Sequence, residues 1–400
     1  MKRKLARAVF CLAGTCLVSC ASQVVENDEF PFLDPMLATL SSASLTKPTD
    51  AAFAKAREEL SFRVLPKRPP FVYQFWRQKQ PAPLVVLLPG HGATADGRHP
   101  AYLGEALFRR GYNVASLPST THRDFIIPAS KLGLPGYPAD DIADLRRVLD
   151  LLLKDLEIRH PAHIKEKALV GVSLGGLHAL WLSQGNSDGF ALYLGINPPL
   201  EMAHAQKSLD EAYDVPLSWS DSRRNQRTQL LLRRVDAIKQ GLKVGPEVVD
   251  AFGEEDRHFV IGYEFRFSLA EMIIGARRLH PELARGLSPE EVMSRYSYRS
   301  YTETVTLPSL RARGLPATWE EWNTSASLLP RIKDVGANPR ALLFHSLDDL
   351  LIAPEMALAA KKAFGDRAWI YRYGSHTGVL STPRFMRQFL AEVEKYLGAP

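Results

Sequence analysis

The chain has 400 residues, 46% of them hydrophobic, and a formal charge of +6. Four of those charges, Lys2, Arg3, Lys4 and Arg7, fall in the first 20 residues, which hold no acid. The remainder therefore carries only +2, no reason to expect a nucleic-acid partner. All 3 cysteines, Cys11, Cys16 and Cys20, lie in the same stretch, so the rest of the chain can hold no disulfide, thiolate metal site or cysteine nucleophile.

The basic start runs into an apolar stretch from Ala8 to Val18, of signal-peptide length and short for a bilayer span. The following Leu17-Val18-Ser19-Cys20-Ala21 resembles the cleavage box of bacterial lipoproteins. That resemblance implies that Cys20 is acylated and becomes the first residue, anchoring the protein to the bacterial cell envelope. With Ala21 rather than Asp next, it implies the outer membrane, facing the periplasm. No later run is apolar enough to cross a membrane, so the expected partner is a lipid surface reached through an anchor. Residues 21–48, rich in Ser, Ala and Thr, read as a tether.

Asp50 to Leu60 predicts a helix and Phe71 to Trp76 a strand. Pro83 to Pro89 is a continuous apolar run, as a strand buried on both faces of a parallel sheet requires, and it ends in Gly90-His91-Gly92-Ala93. A helix around Ala101 to Arg110 and a strand over Tyr112 to Leu117 follow. Asp140 to Leu156 is an amphipathic helix, with Ile142, Leu145, Val148, Leu149 and Leu152 on its apolar side. Lys167 to Val172 is a strand that runs straight into Gly171-Val172-Ser173-Leu174-Gly175 and a helical pattern. The next strand, Phe190 to Ile196, closes at Asn197-Pro198-Pro199. This alternation predicts an α/β architecture, a mostly parallel sheet flanked by helices.

The rhythm stops between Leu200 and Pro330, where helices dominate and Ser288-Pro289-Glu290-Glu291 and Thr318-Trp319-Glu320-Glu321 are capping boxes. Strands resume at Arg340 to His345 and Trp369 to Tyr373, and Phe385 to Leu397 is a closing amphipathic helix. The chain thus divides into a signal (1–20), a tether (21–48), a first core part (49–199), a helical cap inserted before a late strand (200–330) and a second core part (331–400).

Gly-x-Ser-x-Gly between a strand and a helix is a nucleophile elbow, a strained turn that lifts the Ser173 hydroxyl above a sheet edge. A serine hydroxyl attacks only when a neighbouring base takes its proton. His376, in Tyr373-Gly374-Ser375-His376-Thr377-Gly378, follows a late strand in a loop of small residues and suits that role. His160, His163, His204, His258 and His280 lie in connecting or inserted segments, and His345 reads as a core histidine. The acid that orients the base lies in Ser346-Leu347-Asp348-Asp349, where either Asp348 or Asp349 could serve. Two backbone N–H groups should face the developing oxyanion: that of Leu174, and one after the early strand, His91 with Gly92 next. The glycine cluster lacks the Gly-x-x-x-x-Gly-Lys pattern of a phosphate loop.

On these residues the chain resembles the α/β-hydrolase superfamily over about residues 70–200 and 335–397. The family's acid turn commonly reads His-Gly-x-x-Asp. His345-Ser346-Leu347-Asp348-Asp349 follows that register with serine for glycine, which sets the acid at Asp349. Pro89-Gly90 stands where the family often reads His-Gly. Tyr301 to Thr306 and Trp319 to Ser327 are similar to the bacterial and embryogenesis-associated lipid esterases. The resemblance implies a serine esterase acting on a small or lipid-like ester, with no metal or cofactor. Amide cleavage and acyl transfer use the same groups, and a non-catalytic binding protein on this fold is the alternative of a different class.

Overall fold

The structure, a computed structural model, describes residues 24–27, 30–46, 50–185, 189–239 and 253–399. The expected signal and Cys20 lie outside the described residues. Eight strands form one sheet: β1 (Arg57–Phe62), β2 (Phe71–Trp76), β3 (Ala82–Leu88), β4 (Asn113–Ser116), β5 (Ile164–Val172), β6 (Leu192–Ile196), β7 (Ala341–Ser346) and β8 (Ala368–Tyr371). Their spatial order is β1-β2-β4-β3-β5-β6-β7-β8. Only β2 runs against its neighbours; from β4 to β8 every pairing is parallel. This is the α/β-hydrolase fold.

Helices before the cap are α1 (Pro35–Leu45), α2 (Ala51–Lys55), α3 (Arg98–Arg109), α4 (Arg123–Ala129), α5 (Pro138–Arg159) and α6 (Leu174–Leu182). Between β6 and β7 come α7 (Met202–Leu217), α8 (Asp221–Lys239), α9 (Glu254–Arg277), α10 (Pro289–Arg295), α11 (Tyr298–Tyr301), α12 (Leu307–Ala312), α13 (Trp319–Ala326) and α14 (Ile332–Ala337). The last two are α15 (Pro354–Phe364) and α16 (Pro383–Leu397).

Side chains on β3 alternate between two packed layers, which is why its sequence is apolar throughout. Val85 and Leu87 meet Leu103 and Leu107 of α3 in the layer that also takes Phe385 and Phe389 of α16. Leu84 and Val86 meet Leu145, Val148 and Leu149 of α5 on the other side. The cap helices have a core of their own, where Leu209 of α7 packs with Leu269 and Ile273 of α9, Met293 of α10 and Tyr301 of α11. Ser288 and Thr318 each accept the N–H three residues on, so both capping boxes start helices here.

Two expectations are corrected. The helix expected over Asp50 to Leu60 ends at Lys55, and Arg57–Phe62 is an edge strand. Exposed Arg57, Glu59 and Ser61 alternate with half-buried Glu58, Leu60 and Phe62, and the charges protect an exposed edge. The tether expected over 21–48 is not free where it is described. Phe30 and Ala38 are buried, and Val25 forms a parallel bridge to Tyr371 at the β8 edge. Hydroxyl and backbone contacts dock this segment on the loop after β8, beside the buried side chains of Phe30 and Leu37.

Candidate active site

Strand β5 delivers Ser173 at φ 55° and ψ −121°, a backbone state that L-residues adopt only when the surroundings enforce it. The flanking glycines are what make the turn possible. A Cβ on Gly171 would lie 1.9 Å from the Gly175 carbonyl oxygen, and one on Gly175 would lie 2.3 Å from that of Leu88. Ser173 N–H donates to the Ile196 carbonyl at 2.8 Å, tying the elbow to β6.

The loop after β8 brings His376 over this serine, with Nε2 2.9 Å from Ser173 Oγ. On the other side of the ring, Nδ1 stands 3.1 and 3.0 Å from the two oxygens of Asp349, in the turn after β7. All three residues are buried. Asp349 also accepts Leu351 N–H at 2.9 Å and an Asn197 amide N–H at 2.9 Å. Burial pushes its carboxyl up, but the attraction of His376, its hydrogen bond, the nearby His345 and Leu351 N–H together hold it below the usual carboxylate value.

Asp348 does something else. It accepts Ser375 N–H at 2.8 Å and Gly374 N–H at 3.3 Å, so it fastens the loop that carries His376. Burial pushes its carboxyl up to about 6. The structure brings Asp349, and not Asp348, to the imidazole.

Near the hydroxyl, Leu174 N–H opens α6, where first-turn donors have no helical acceptor. The Gly90–His91 segment passes close: a Cβ on Gly90 would lie 3.2 Å from Ser173 Cβ. Gly92 N–H is occupied by Thr121 Oγ1 at 2.9 Å, which leaves His91 as the candidate second donor. The His91 ring packs edge-on to Tyr298 at 5.6 Å, and burial lowers it to about 4.

His345 is a core histidine, with Nε2 2.9 Å from the Pro198 carbonyl oxygen. His280 Nε2 is 2.7 Å from the Leu132 carbonyl oxygen, and His160 stacks on Phe75. Among the described residues no group of three His, Cys, Asp or Glu could hold a metal ion.

One positioning group escaped the sequence reading. Asn197 sits at φ 46° just after β6 and gives its amide N–H to Asp349 and to the Ser375 carbonyl, the latter at 3.1 Å. Asn-Pro-Pro at a strand end was its only trace, since asparagine tolerates the left-handed region.

A cavity opens on Ser173. Leu174, Met202, Leu209, Phe265, Leu269 and Met272 give it apolar walls, drawn mostly from α7 and α9 of the cap. Its polar points are largely engaged: Gln206 and Thr302 bond each other, Tyr301 donates to the Pro135 carbonyl, and Asp141 accepts Gly136 N–H.

No protein-family model matches the sequence, and no curated protein does. Solved structures similar to the chain include an esterase from Pyrococcus furiosus, 10% identical with a TM-score of 0.46, over 88% of this chain and 97% of that one. Another is a bacterial membrane phospholipase A described as a virulence factor, 14% identical with a TM-score of 0.47 over the whole of both chains. A third is an acylaminoacyl peptidase from Pyrococcus horikoshii, 16% identical with a TM-score of 0.45, over 87% of this chain and 44% of that one.

Proposed function

We propose that the protein is a serine hydrolase that cleaves carboxylic esters through an acyl-enzyme on Ser173. One observation carries the reading: the unbroken contact from Asp349 through His376 to an elbow serine, with Nε2 at 2.9 Å from Oγ. His376 Nε2 takes the hydroxyl proton as Oγ attacks the ester carbonyl, and Asp349 orients the ring and stabilises the imidazolium. The oxyanion lies against the N–H groups of Leu174 and His91. Collapse of that intermediate breaks the ester C–O bond, and His376 returns the proton to the departing alcohol. Water then enters by the same route: His376 takes one proton, hydroxide adds to the acyl carbon, and Ser173 leaves with that proton.

The apolar walls suit an acyl chain or another lipid-like group. The chain is also proposed to be anchored through acylated Cys20 in the bacterial envelope, at the outer membrane. Among the described residues no helix is long and apolar enough to cross a membrane.

The test is a fluorophosphonate probe followed by a panel of short and long acyl esters, amides and phospholipids. Ser173 should be labelled in the wild type and not in Ser173→Ala, and esters should turn over faster than matched amides. A folded protein that takes no label at Ser173 refutes the enzyme reading. Preferred turnover of amides would instead assign the same groups to an amidase.

A further inference from the structure

The loop that carries His376 is poorly self-supporting. Gly374, Ser375 and Thr377 all have positive φ, at 132°, 42° and 68°. Such a loop keeps its shape only if its surroundings impose it. Asp348 and Asn197 supply part of that support; more comes from the N-terminal arm, more than 300 residues away in sequence.

Asn27, 1% exposed, brackets the start of the loop: its Oδ1 accepts Tyr373 N–H at 3.0 Å and its Nδ2 donates to the Tyr373 carbonyl at 2.8 Å. Beside it, Val25 N–H donates to the Ile370 carbonyl and Arg372 N–H to that of Val25. Further on, Thr39 Oγ1 in α1 accepts the N–H of His376 itself at 3.3 Å and stands 3.0 Å from Ser375 Oγ. Ser42 Oγ lies 3.1 Å from Thr377 Oγ1. The contact is close: a Cβ on Gly378 would lie 2.6 Å from the Ala38 carbonyl oxygen. Helix α1 is itself held from the cap, since Asp34 caps it through Leu37 N–H and pairs with Arg257 of α9 at 2.7 Å.

We propose that the N-terminal arm, through Asn27 and Thr39, is a positioning element that keeps the His376 imidazole in line with Ser173; this rests on the hydrolase reading above. Neither residue touches the reacting atoms. Their effect is on the placement of a base that must reach one hydroxyl at hydrogen-bond distance, where small displacements are costly in rate.

The test uses the full chain in detergent micelles, with p-nitrophenyl butyrate and a fluorophosphonate probe. Thr39→Val keeps the side-chain shape and removes the acceptor. It should lower kcat and the labelling rate about ten-fold and leave KM within about two-fold, and Thr39→Ser should recover most of the rate. A folded Thr39→Val with wild-type kcat overturns the proposal, as does a loss that Thr39→Ser leaves unrepaired. Should Thr39→Val not fold, Asn27→Asp is read in its place. It keeps the acceptor for Tyr373 N–H and loses the donor; a kcat-selective loss supports the proposal and an unchanged kcat overturns it. Wild-type protein that takes no label and cleaves no ester refutes the hydrolase reading itself. That result is distinct from equal rates in wild type and variant, which remove only the role of the arm.

Discussion

Two adjacent aspartates show how one position in a turn separates two tasks. Asp349 faces the imidazole and Asp348 the backbone of the loop that holds it. Asp349→Asn should cut kcat by roughly a thousand-fold or more with little change in KM, because an amide can hold the ring in the wrong tautomer and cannot stabilise its cation. Asp348→Asn keeps an oxygen able to accept the same N–H groups, so its kcat should fall by less than about ten-fold. Steady-state kinetics of the two purified variants compare them directly, and a larger loss for Asp348→Asn would reverse the assignment. The serine, the histidine and the candidate acids were legible because each is bound to a local signature: a glycine-flanked elbow, a small-residue loop, a strand-end turn. Choosing between the acids needed the family register. Asn197, Asn27 and Thr39 were not read as functional, because each acts on a segment distant in sequence and carries little or no local pattern.

Elements differ in how clearly their burial shows in sequence. β3, enclosed on both faces, reads directly from its apolar run, and α16 from its apolar stripe. β1 was mistaken for a helix because an edge strand half in solvent can be as charged as a surface helix. α1 was taken for linker because small and hydroxyl residues, not a stripe of large apolar ones, make its contacts with the loop. The elbow offers the sharpest test at this scale. Gly175→Ala would drive a methyl to 2.3 Å from the Leu88 carbonyl oxygen, against the backbone of Leu88 and Pro89 rather than a flexible side chain. It should cost at least about 3 kcal/mol, seen as a drop in urea midpoint or as insoluble protein. In the cap, Met272→Trp narrows the cavity from the α9 side. Hydrolysis of long acyl esters should fall about ten-fold or more relative to short ones, and equal losses across chain lengths would place the acyl group elsewhere.

Across the whole molecule, buried histidines respond to acid pH in one sense, and the buried carboxyls of Asp348 and Asp141, raised by burial, respond in the other. Burial lowers His91 and His99 to about 4 and His178 to about 3, and it lowers His345 as well. An unfolded histidine titrates near 6.5, so between roughly pH 6.5 and 4 the unfolded chain binds protons that the folded one refuses. The histidine contribution to stability should therefore be full above that window and fall as pH drops through it, exceeding the opposite contribution of the two carboxyls because four histidines are lowered. Urea midpoints measured from pH 7 to 4 should show the decline. His178→Leu should remove up to about one proton from its slope, and an unchanged slope would count against this source.

The bridge from Val25 to the rim of the sheet has one more consequence. Four residues lie between Cys20 and Val25, a leash of at most ~18 Å even when fully stretched. With fatty chains on Cys20, that leash would moor the Tyr371 rim at the headgroup layer and forbid the enzyme from ranging across the periplasmic gap. Its natural catch would then be esters dissolved in, or just leaving, the leaflet it sits on. Lengthening the leash with a flexible spacer before Val24 should shift turnover from vesicle-borne esters toward soluble ones.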